Sequence, residues 1–210
     1  MKWRSSSIIV LRLPTELHKY IELAMTQISA RTIVSQADRI CQCDMFHDID
    51  VVERIIENDM GIEVKKLHFP MVVCLNQDCD LNSDDRDKQK EGVNNNCRLL
   101  HLIVAPVFNF DSFMTGSHWG DLFDPGKKFK KDGTEIGKIK NNDDPRYHYL
   151  HFDTDSGLPD MIIDFKHFFT VSTDYLYQNI GKRVRAIDEL YREKISQRFA
   201  YYISRIGLPD

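Results

Sequence analysis

The chain has 210 residues, of which 42% are hydrophobic and 29% are charged. This length and composition fit one folded domain with an appendage and exclude a largely disordered chain. The formal net charge of −4 disfavours a protein held mainly by nucleic-acid phosphates, and five cysteines without the spacing of a secreted scaffold are typical of reduced thiols.

The first 35 residues are predicted to form a helical arm. Pro14 suits the first turn of a helix, and apolar residues recur every three or four positions after it, at Leu17, Ile21, Met25 and Ile28. The apolar run Ile8–Val10 is too short for a signal peptide, and Arg12 follows it closely. Because no stretch approaches the roughly 20 apolar residues that cross a bilayer, we expect no membrane association and a cytoplasmic location.

A β-rich region follows the arm. The runs Ile49–Ile56 and Ile62–Leu67 flank a turn-forming segment that ends in Gly61, which predicts a hairpin. Phe69–Leu75 and Leu99–Val107 are nearly continuous apolar runs, typical of strands buried on both faces.

Two polar stretches are predicted to be insertions between strands. Residues 82–96 are charged, rich in asparagine and without apolar periodicity, so we expect a flexible loop there. Residues 108–144 begin with aromatic residues and glycines that suggest short helical turns. This second stretch continues into Lys127–Lys140, which has six lysines against one aspartate and one glutamate.

Two more strands and a helix complete the predicted elements. Tyr147–Phe152 and Met161–Val171 are strand-like, and Ile187–Ile206 predicts a long amphipathic helix that Gly207 and Pro209 end. Since the strands follow one another mostly without crossover helices, an α+β fold with a small antiparallel β-barrel is favoured.

Three segments are similar to strands of a known family. Gln36–Ile40 is similar to an opening Gly-Asp-Ile strand, Pro70–Leu75 to a Pro-x-Val-Val strand, and Leu102–Val107 to a later apolar strand that ends near proline. Gly157-Leu158 followed by Met161–Leu176 is similar to the last strands and the turn into a helix. Together these segments resemble the MazF/PemK family, whose members are SH3-like barrels that cleave RNA as toxins.

The resemblance implies an SH3-like barrel with long insertions. The expected barrel core is residues 36–178. Residues 1–35 are then the N-terminal arm, and residues 179–210 are a C-terminal helix packed on the barrel. The family places an arginine before the strand proline and a serine or threonine near the end of that strand. Here Phe69 precedes Pro70, and Leu75 and Asn76 end the strand, so the cation and hydroxyl for phosphodiester cleavage are missing.

The segment Gln77–Asp80 is the first candidate site, because it directly follows a buried strand. The end of a strand places side chains at the rim of a sheet, where binding residues often lie. Asp78 and Asp80 flank Cys79, and negative neighbours disfavour a thiolate nucleophile. The alternative is a turn in which both carboxylates accept hydrogen bonds from backbone N–H groups while the thiol packs as a small apolar group.

The segment Arg146–His151 is the second candidate site. On a strand, His148 and Leu150 share one face, and Tyr147, Tyr149 and His151 share the other. The aromatic face could stack on a nucleic-acid base, with the lysines of the preceding insertion at phosphates. The alternative is a half-buried strand whose Tyr and His tips form hydrogen bonds, and Asp164, Lys166 and His167 are expected to pair with it across the sheet.

Metals and cofactors are not expected. Cys41-x-Cys43 lacks the spacing of a structural zinc site, although Cys79 together with His118, His148 or His151 leaves a spatial site open. We also predict a bidentate ion pair between Arg198 and either Asp78 or Asp80.

Three functions follow from these patterns. The first is a non-enzymatic protein-interaction module that binds a protein partner, and the family resemblance suggests a bacterial or phage-related toxin–antitoxin or defence-type system. The second is an RNA-cleaving or nucleic-acid-binding barrel, with a site rebuilt from Asp78, Asp80, Arg146 and His148. The third is a hydrolase with Cys79 as nucleophile, which requires a neighbouring histidine.

Overall fold

The computed structural model describes residues 30–33, 38–59, 61–89, 98–120, 133–152 and 156–205. Of the predicted helical arm 1–35, the structure describes only residues 30–33, of which Thr32–Ile33 is a strand; the rest of the arm lies outside the described residues. The described chain has a mixed α+β fold, in which an antiparallel sheet curls into a half-barrel. Its strands are Thr32–Ile33 (β1), Asp44–Asn58 (β2), Gly61–Cys74 (β3), His101–Asn109 (β4), Tyr147–Leu150 (β5), Met161–Asp164 (β6), Phe169–Ser172 (β7) and Arg183–Ile187 (β8).

Five α-helices accompany the sheet in the described part of the chain. They are Asp78–Lys88 (α1), Phe110–Thr115 (α2), Gly133–Lys140 (α3), Thr173–Gln178 (α4) and Glu189–Ile203 (α5). The strand order is β1-β8-β2-β3-β4-β6-β5, and β7 also pairs with β4. Strands β1 and β8 lie outside the predicted core 36–178, yet both belong to this sheet.

The predicted hairpin is confirmed and is longer than the sequence suggests. β2 and β3 pair from Met45↔Val73 out to Asn58↔Gly61. Gly61 has φ 132°, a backbone conformation that side chains strongly disfavour, so glycine suits the end of the turn. The apolar run predicted as a separate strand from Phe69 is the second half of β3, which pairs with β4 only over Val72–Cys74.

The prediction of a flexible loop is wrong for residues 82–88, which belong to α1. Its anchor is polar: the buried Asp84 carboxylate accepts a hydrogen bond from Leu99 N at 2.8 Å and pairs with Lys88 at 2.7 Å. The Lys88 ammonium also lies 3.8 Å from the centre of the Tyr177 ring. Since the helix depends on these contacts more than on an apolar stripe, hydrophobic periodicity does not detect it.

Two other predicted boundaries change. The strand expected over Met161–Val171 is β6 and β7, separated by a 3₁₀ turn at Phe165–His167. The C-terminal helix begins at Glu189, where the Asp188 side chain accepts a hydrogen bond from Leu190 N at 3.1 Å. Ile187, expected as the first helical residue, ends β8 instead.

Two hydrophobic cores lie on opposite faces of the sheet, because neighbouring residues of the central strands enter different cores. Val72 and Val104 belong to the first core, which also holds Phe113 of α2. Val73 and Ala105 belong to the second core, into which α5 packs Ile195 and Phe199. The central strands are therefore buried on both faces, as their apolar runs predict.

Candidate functional site

Asp78 is the first residue of α1, and its side chain connects three parts of the fold. Its carboxylate accepts hydrogen bonds from both Arg39 terminal nitrogens at 3.1 and 2.9 Å and from Gln42 N at 3.2 Å. Partial burial opposes ionisation, but the bonds from Arg39 and Gln42 outweigh it and hold the Asp78 pKa below its ordinary value. Arg192 of α5 lies 4.0 Å away, so this carboxylate joins the segment before β2, helix α1 and helix α5.

The neighbours of Asp78 face solvent. Cys79 is exposed, and its thiol lies 3.6 Å from Gln77 Oε1 and 3.7 Å from Asp80 Oδ1. Both oxygens are acceptors, so the thiol is the donor in these contacts. A cysteine hydrolase requires a histidine beside this thiol, whereas the Cys79 thiol contacts the side chains of Gln77 and Asp80. Gln77 is the residue before α1, and its backbone carbonyl accepts hydrogen bonds from Asp80 N and Leu81 N.

Arg146 is bound to the buried carboxylate of Asp164. Arg146 Nε and Nη2 donate to the two Asp164 oxygens at 2.9 and 2.6 Å, and Lys166 N donates to the same carboxylate at 3.0 Å. The guanidinium also lies 4.7 Å from the centre of the Tyr147 ring. The predicted pairing of Asp164 with this strand is confirmed, since Tyr147↔Asp164 is a register pair of β5 and β6.

The alternation predicted for β5 is confirmed, but the strand is buried on both faces. Tyr147 and Tyr149 lie in the first core, and Leu150 lies in the second. His148 is 1% exposed on the Leu150 side, and burial, together with the cations of Arg198 and Lys194, lowers its pKa to about 3. A neutral, enclosed imidazole of this kind is unsuited to general acid–base work near neutral pH.

Tyr149 and His151 meet at one carboxylate. Tyr149 Oη donates to Asp160 Oδ2, and His151 Nδ1 lies 2.8 Å from Asp160 Oδ1. Their rings stack with centroids 6.3 Å apart, and the Lys140 ammonium lies 5.6 Å from the Tyr149 ring centre. The structure thus brings together two of the predicted binding residues through Asp160, which the sequence did not single out.

The predicted pair of Arg198 with Asp78 or Asp80 is wrong. The Arg198 guanidinium donates to the carbonyls of Asn142, Asp144 (2.7 Å) and Tyr147 (2.8 Å), so it holds the segment that leads into β5. Five donors in a planar fork suit this binding of several carbonyls at once.

The predicted site residues therefore form two groups. Gln77–Asp80 lies where β3 leads into α1, whereas Arg146–His151 and Arg198 surround β5. In the sheet order, β4 and β6 lie between β3 and β5. The four residues proposed for a rebuilt nuclease site are not brought to one place, and the RNA-cleaving alternative stays a prediction without a common site.

The outer half of the β2–β3 hairpin carries a surface that the sequence-based search missed. Val52, Ile55, Ile62 and Val64 are exposed by 50, 63, 70 and 45%. All four lie on one face of the hairpin. Ile55 and Val64 form a register pair, and Ile62 lies two residues before Val64 on β3. Val52 lies on the same face as Ile55 because a β-bulge separates them on β2. We call these four side chains the hairpin face.

A β-bulge at Glu53 gives the hairpin face its composition. Val52 pairs with Lys66 and Arg54 with Lys65, so Glu53 is an extra residue between two adjacent register pairs. Without the bulge, Val52 and Ile55 would point to opposite faces. The sequence signal is the high density of β-branched residues, but the faces cannot be assigned until the bulge is known.

The edges of the hairpin are as open as its face. Within the residues that the structure describes, β8 pairs with β2 only at Asp44–Phe46, and β4 pairs with β3 only at Val72–Cys74. The opposite face is covered at its base, where Ile49 and Phe69 enter the first core. The hairpin is therefore a two-stranded ribbon that extends from a packed base.

A groove of about 540 Å³ adjoins the base of the hairpin face. Val52 and Lys66 line it on the hairpin side, and Thr170, Val171 and Tyr175 line it on the side of β7 and α4. The Tyr175 hydroxyl accepts a hydrogen bond from Asp50 N at 3.2 Å, which fixes α4 against the outer edge of β2. The groove thus separates the base of the hairpin face from β7 and α4.

Among the described residues, no group of three or more His, Cys, Asp or Glu side chains could hold a metal ion. In the same residues, every helix is too short or too polar to cross a bilayer. Comparisons with protein-family models, curated proteins and solved structures find no match to this chain.

Proposed function

We propose that this chain is a non-enzymatic protein-interaction module and that the hairpin face is its docking surface. The observation that carries the proposal is the exposure of Val52, Ile55, Ile62 and Val64 on one face of a projecting ribbon. Scattered apolar side chains on a surface need no explanation, whereas a contiguous group is typical of a protein–protein contact.

The conformation of the hairpin gives the proposal a physical reason. A two-stranded ribbon is marginally stable alone in water, and its open edges and apolar face favour further pairing or packing. The stabilising contacts of the described structure lie at its base, through Ile49 and Phe69. A protein partner on the hairpin face would remove the four aliphatic side chains from water and stabilise the outer half.

The biological setting is part of the proposal and is supported by the family resemblance alone. The sequence segments 36–40, 70–75 and 102–107 suggest an SH3-like barrel of the MazF/PemK type. That relationship implies a role in a bacterial or phage-related toxin–antitoxin or defence-type system in the cytoplasm. Identification of a partner gene beside the gene for this chain would test the setting separately from the surface.

The surface is tested by comparing three forms of the full chain, each expressed with an affinity tag in its native cell. These are the wild type, the double variant Ile55→Ser/Ile62→Ser, and the control Leu190→Ser. Leu190 is 82% exposed on α5, so its substitution removes a similar aliphatic group away from the hairpin. Native mass spectrometry measures assembly, and hydrogen exchange locates the contact in the isolated assembly.

We expect the wild type and Leu190→Ser to form an assembly in which residues 52–66 exchange more slowly than in the isolated chain. The double variant should remain unassembled, with an unchanged circular dichroism spectrum, because both substituted side chains are outside the cores. Absence of any assembly, or protection confined to other elements, contradicts the proposal.

A further inference from the structure

We infer that the partner on the hairpin face is a second copy of this chain, packed face to face across a two-fold axis. The inference rests on the proposed function, since it names the occupant of the same surface. Its basis is the order of aliphatic and charged side chains along the hairpin face, which is self-complementary under a two-fold rotation.

The exposed face is organised in cross-strand rows from the base of the hairpin to its tip. Register pairs on this face are, in order, Asp50↔His68, Val52↔Lys66, Ile55↔Val64 and Glu57↔Ile62. The row Ile55↔Val64 is purely aliphatic and has one row on each side that combines an aliphatic with a charged residue. The apolar centre is thus flanked by Lys66 towards the base and Glu57 towards the tip.

The proposed two-fold axis passes through the central row Ile55↔Val64. It lies in the plane of contact and is perpendicular to the strands. It therefore places the base of one hairpin against the tip of the other. Ile55 then lies over Ile55 of the second copy, and Val64 over Val64. Lys66 of each copy meets the row that contains Glu57 and Ile62 of the other. The arrangement is isologous, so each contact occurs twice.

Charge complementarity favours this arrangement over one that places base against base. Base against tip brings each Lys66 ammonium towards a Glu57 carboxylate, whereas base against base brings the Val52↔Lys66 rows of the two copies together and two ammonium groups with them. Glu57 and Lys66 are both exposed, and among the described residues neither lies in an ion pair. Like charges brought together at an interface oppose association.

Steric considerations agree with the charges. With base against tip, the two folded bodies lie at opposite ends of the paired hairpins and do not compete for the same space. The faces can then approach to the usual separation of about 10 Å for packed sheets. The outer edges of both ribbons stay open. Assembly therefore stops at a dimer only if the two faces, and not the strand edges, form the contact.

The test measures the association of the purified full chain by sedimentation equilibrium over a wide concentration range. The variants are Ile55→Ser/Ile62→Ser, Lys66→Glu, Glu57→Lys and the charge exchange Lys66→Glu/Glu57→Lys, with Leu190→Ser as the control. All substituted positions are exposed, and circular dichroism confirms that each variant is folded.

We expect the wild type and Leu190→Ser to form dimers. Loss of the two isoleucines should weaken dimerisation by about 100-fold, because they are central to the contact. Each single charge reversal should weaken it about threefold to tenfold, and the charge exchange should restore the wild-type constant.

A monomeric wild type, a dimer insensitive to the isoleucines, or a charge exchange no better than either reversal would overturn the inference. The two proposals fail separately. A chain that is monomeric when purified, but assembles with a different protein through residues 52–66 in its native cell, refutes the second copy and supports the docking surface. A dimer whose protection lies outside the hairpin refutes both.

Discussion

A buried carboxylate accounts for Arg146, one of the charged side chains predicted as site residues. Asp44, Asp84 and Asp164 are each at most 1% exposed, and each has a basic partner. A buried carboxylate without a partner destabilises a protein by several kcal/mol, so these partners are held in place by the fold. Arg146 is bound in this way to Asp164, which leaves it a structural role.

His148 makes the stability of the protein depend on pH. Its pKa is about 3 in the folded chain, against about 6.5 in an unfolded chain, because burial disfavours the charged ring. Between these values the unfolded state binds a proton that the folded state does not. The free energy of unfolding therefore falls as pH falls, by about 1 kcal/mol for each pH unit from this residue.

We predict that His148→Leu flattens this dependence. Urea unfolding followed by circular dichroism, from about pH 7 down to about pH 5, should give a slope smaller than that of the wild type by about one proton. Burial also lowers the pKa values of His118 and His167. The free energy of unfolding of His148→Leu should therefore still depend on pH, with a smaller slope. Equal slopes for wild type and His148→Leu would show that His148 is protonated in the folded chain.

At the scale of elements, strands with strong apolar signals were predicted well. The hairpin, β4 and the alternation within β5 follow from β-branched runs and from Gly61. Helix α1 was missed because its anchor is the buried polar residue Asp84. The short strand β8 was missed because Arg183 and Arg185 interrupt its pattern. Contacts distant in sequence decide both elements, such as Arg183 Nη1 to Asp44 Oδ2 at 3.0 Å.

The candidate surface depended on one feature that periodicity cannot supply. The sequence locates the β-branched residues of the hairpin, but regular alternation would place Val52 and Ile55 on different faces. The bulge at Glu53 places them on the same face. The contacts of the polar candidates could not be predicted for a related reason, because the groups that Asp78 and Arg198 bind lie far away in the sequence.

We predict that deletion of Glu53 is tolerated. The deletion turns the bulge into a regular pair and leaves Val52 and Ile55 on the same face, so dimerisation should persist. The free energy of unfolding should change by less than about 1 kcal/mol, since the Glu53–Lys65 ion pair at 2.8 Å is exposed. Thermal unfolding and sedimentation measure the two effects.

Deletion of Ile56 is the matched control. Ile56 lies in the regular ladder opposite Glu63, so its removal moves Glu57 to the other face and disturbs the pairing of Asn58 with Gly61. This variant should dimerise more weakly, by up to about tenfold, because the Glu57 carboxylate leaves the hairpin face while the four aliphatic side chains stay on it. Similar behaviour of the two deletions would contradict the bulge as the determinant of the face.

At the scale of the whole molecule, one curled sheet separates two cores. The first core is covered by α1–α4 and the second by α5, and the central strands contribute to both. Neither core can lose its packing without disturbing strands that the other core requires. We therefore expect the sheet and both cores to unfold together, while the outer hairpin of the monomer exchanges with solvent independently.

Phe165→Ala tests this cooperativity. Phe165 is fully buried in the second core, with its ring centre 5.5 Å from that of Phe199, and its truncation should lower the free energy of unfolding by about 3–5 kcal/mol. Trp119 lies in the first core, so in a Trp3→Phe background its fluorescence follows the opposite face of the sheet. Fluorescence and far-UV circular dichroism should shift to the same lower urea midpoint. If Trp119 kept the midpoint of the background protein while circular dichroism shifted, the two cores would be separate folding units and the shared strands would not couple them.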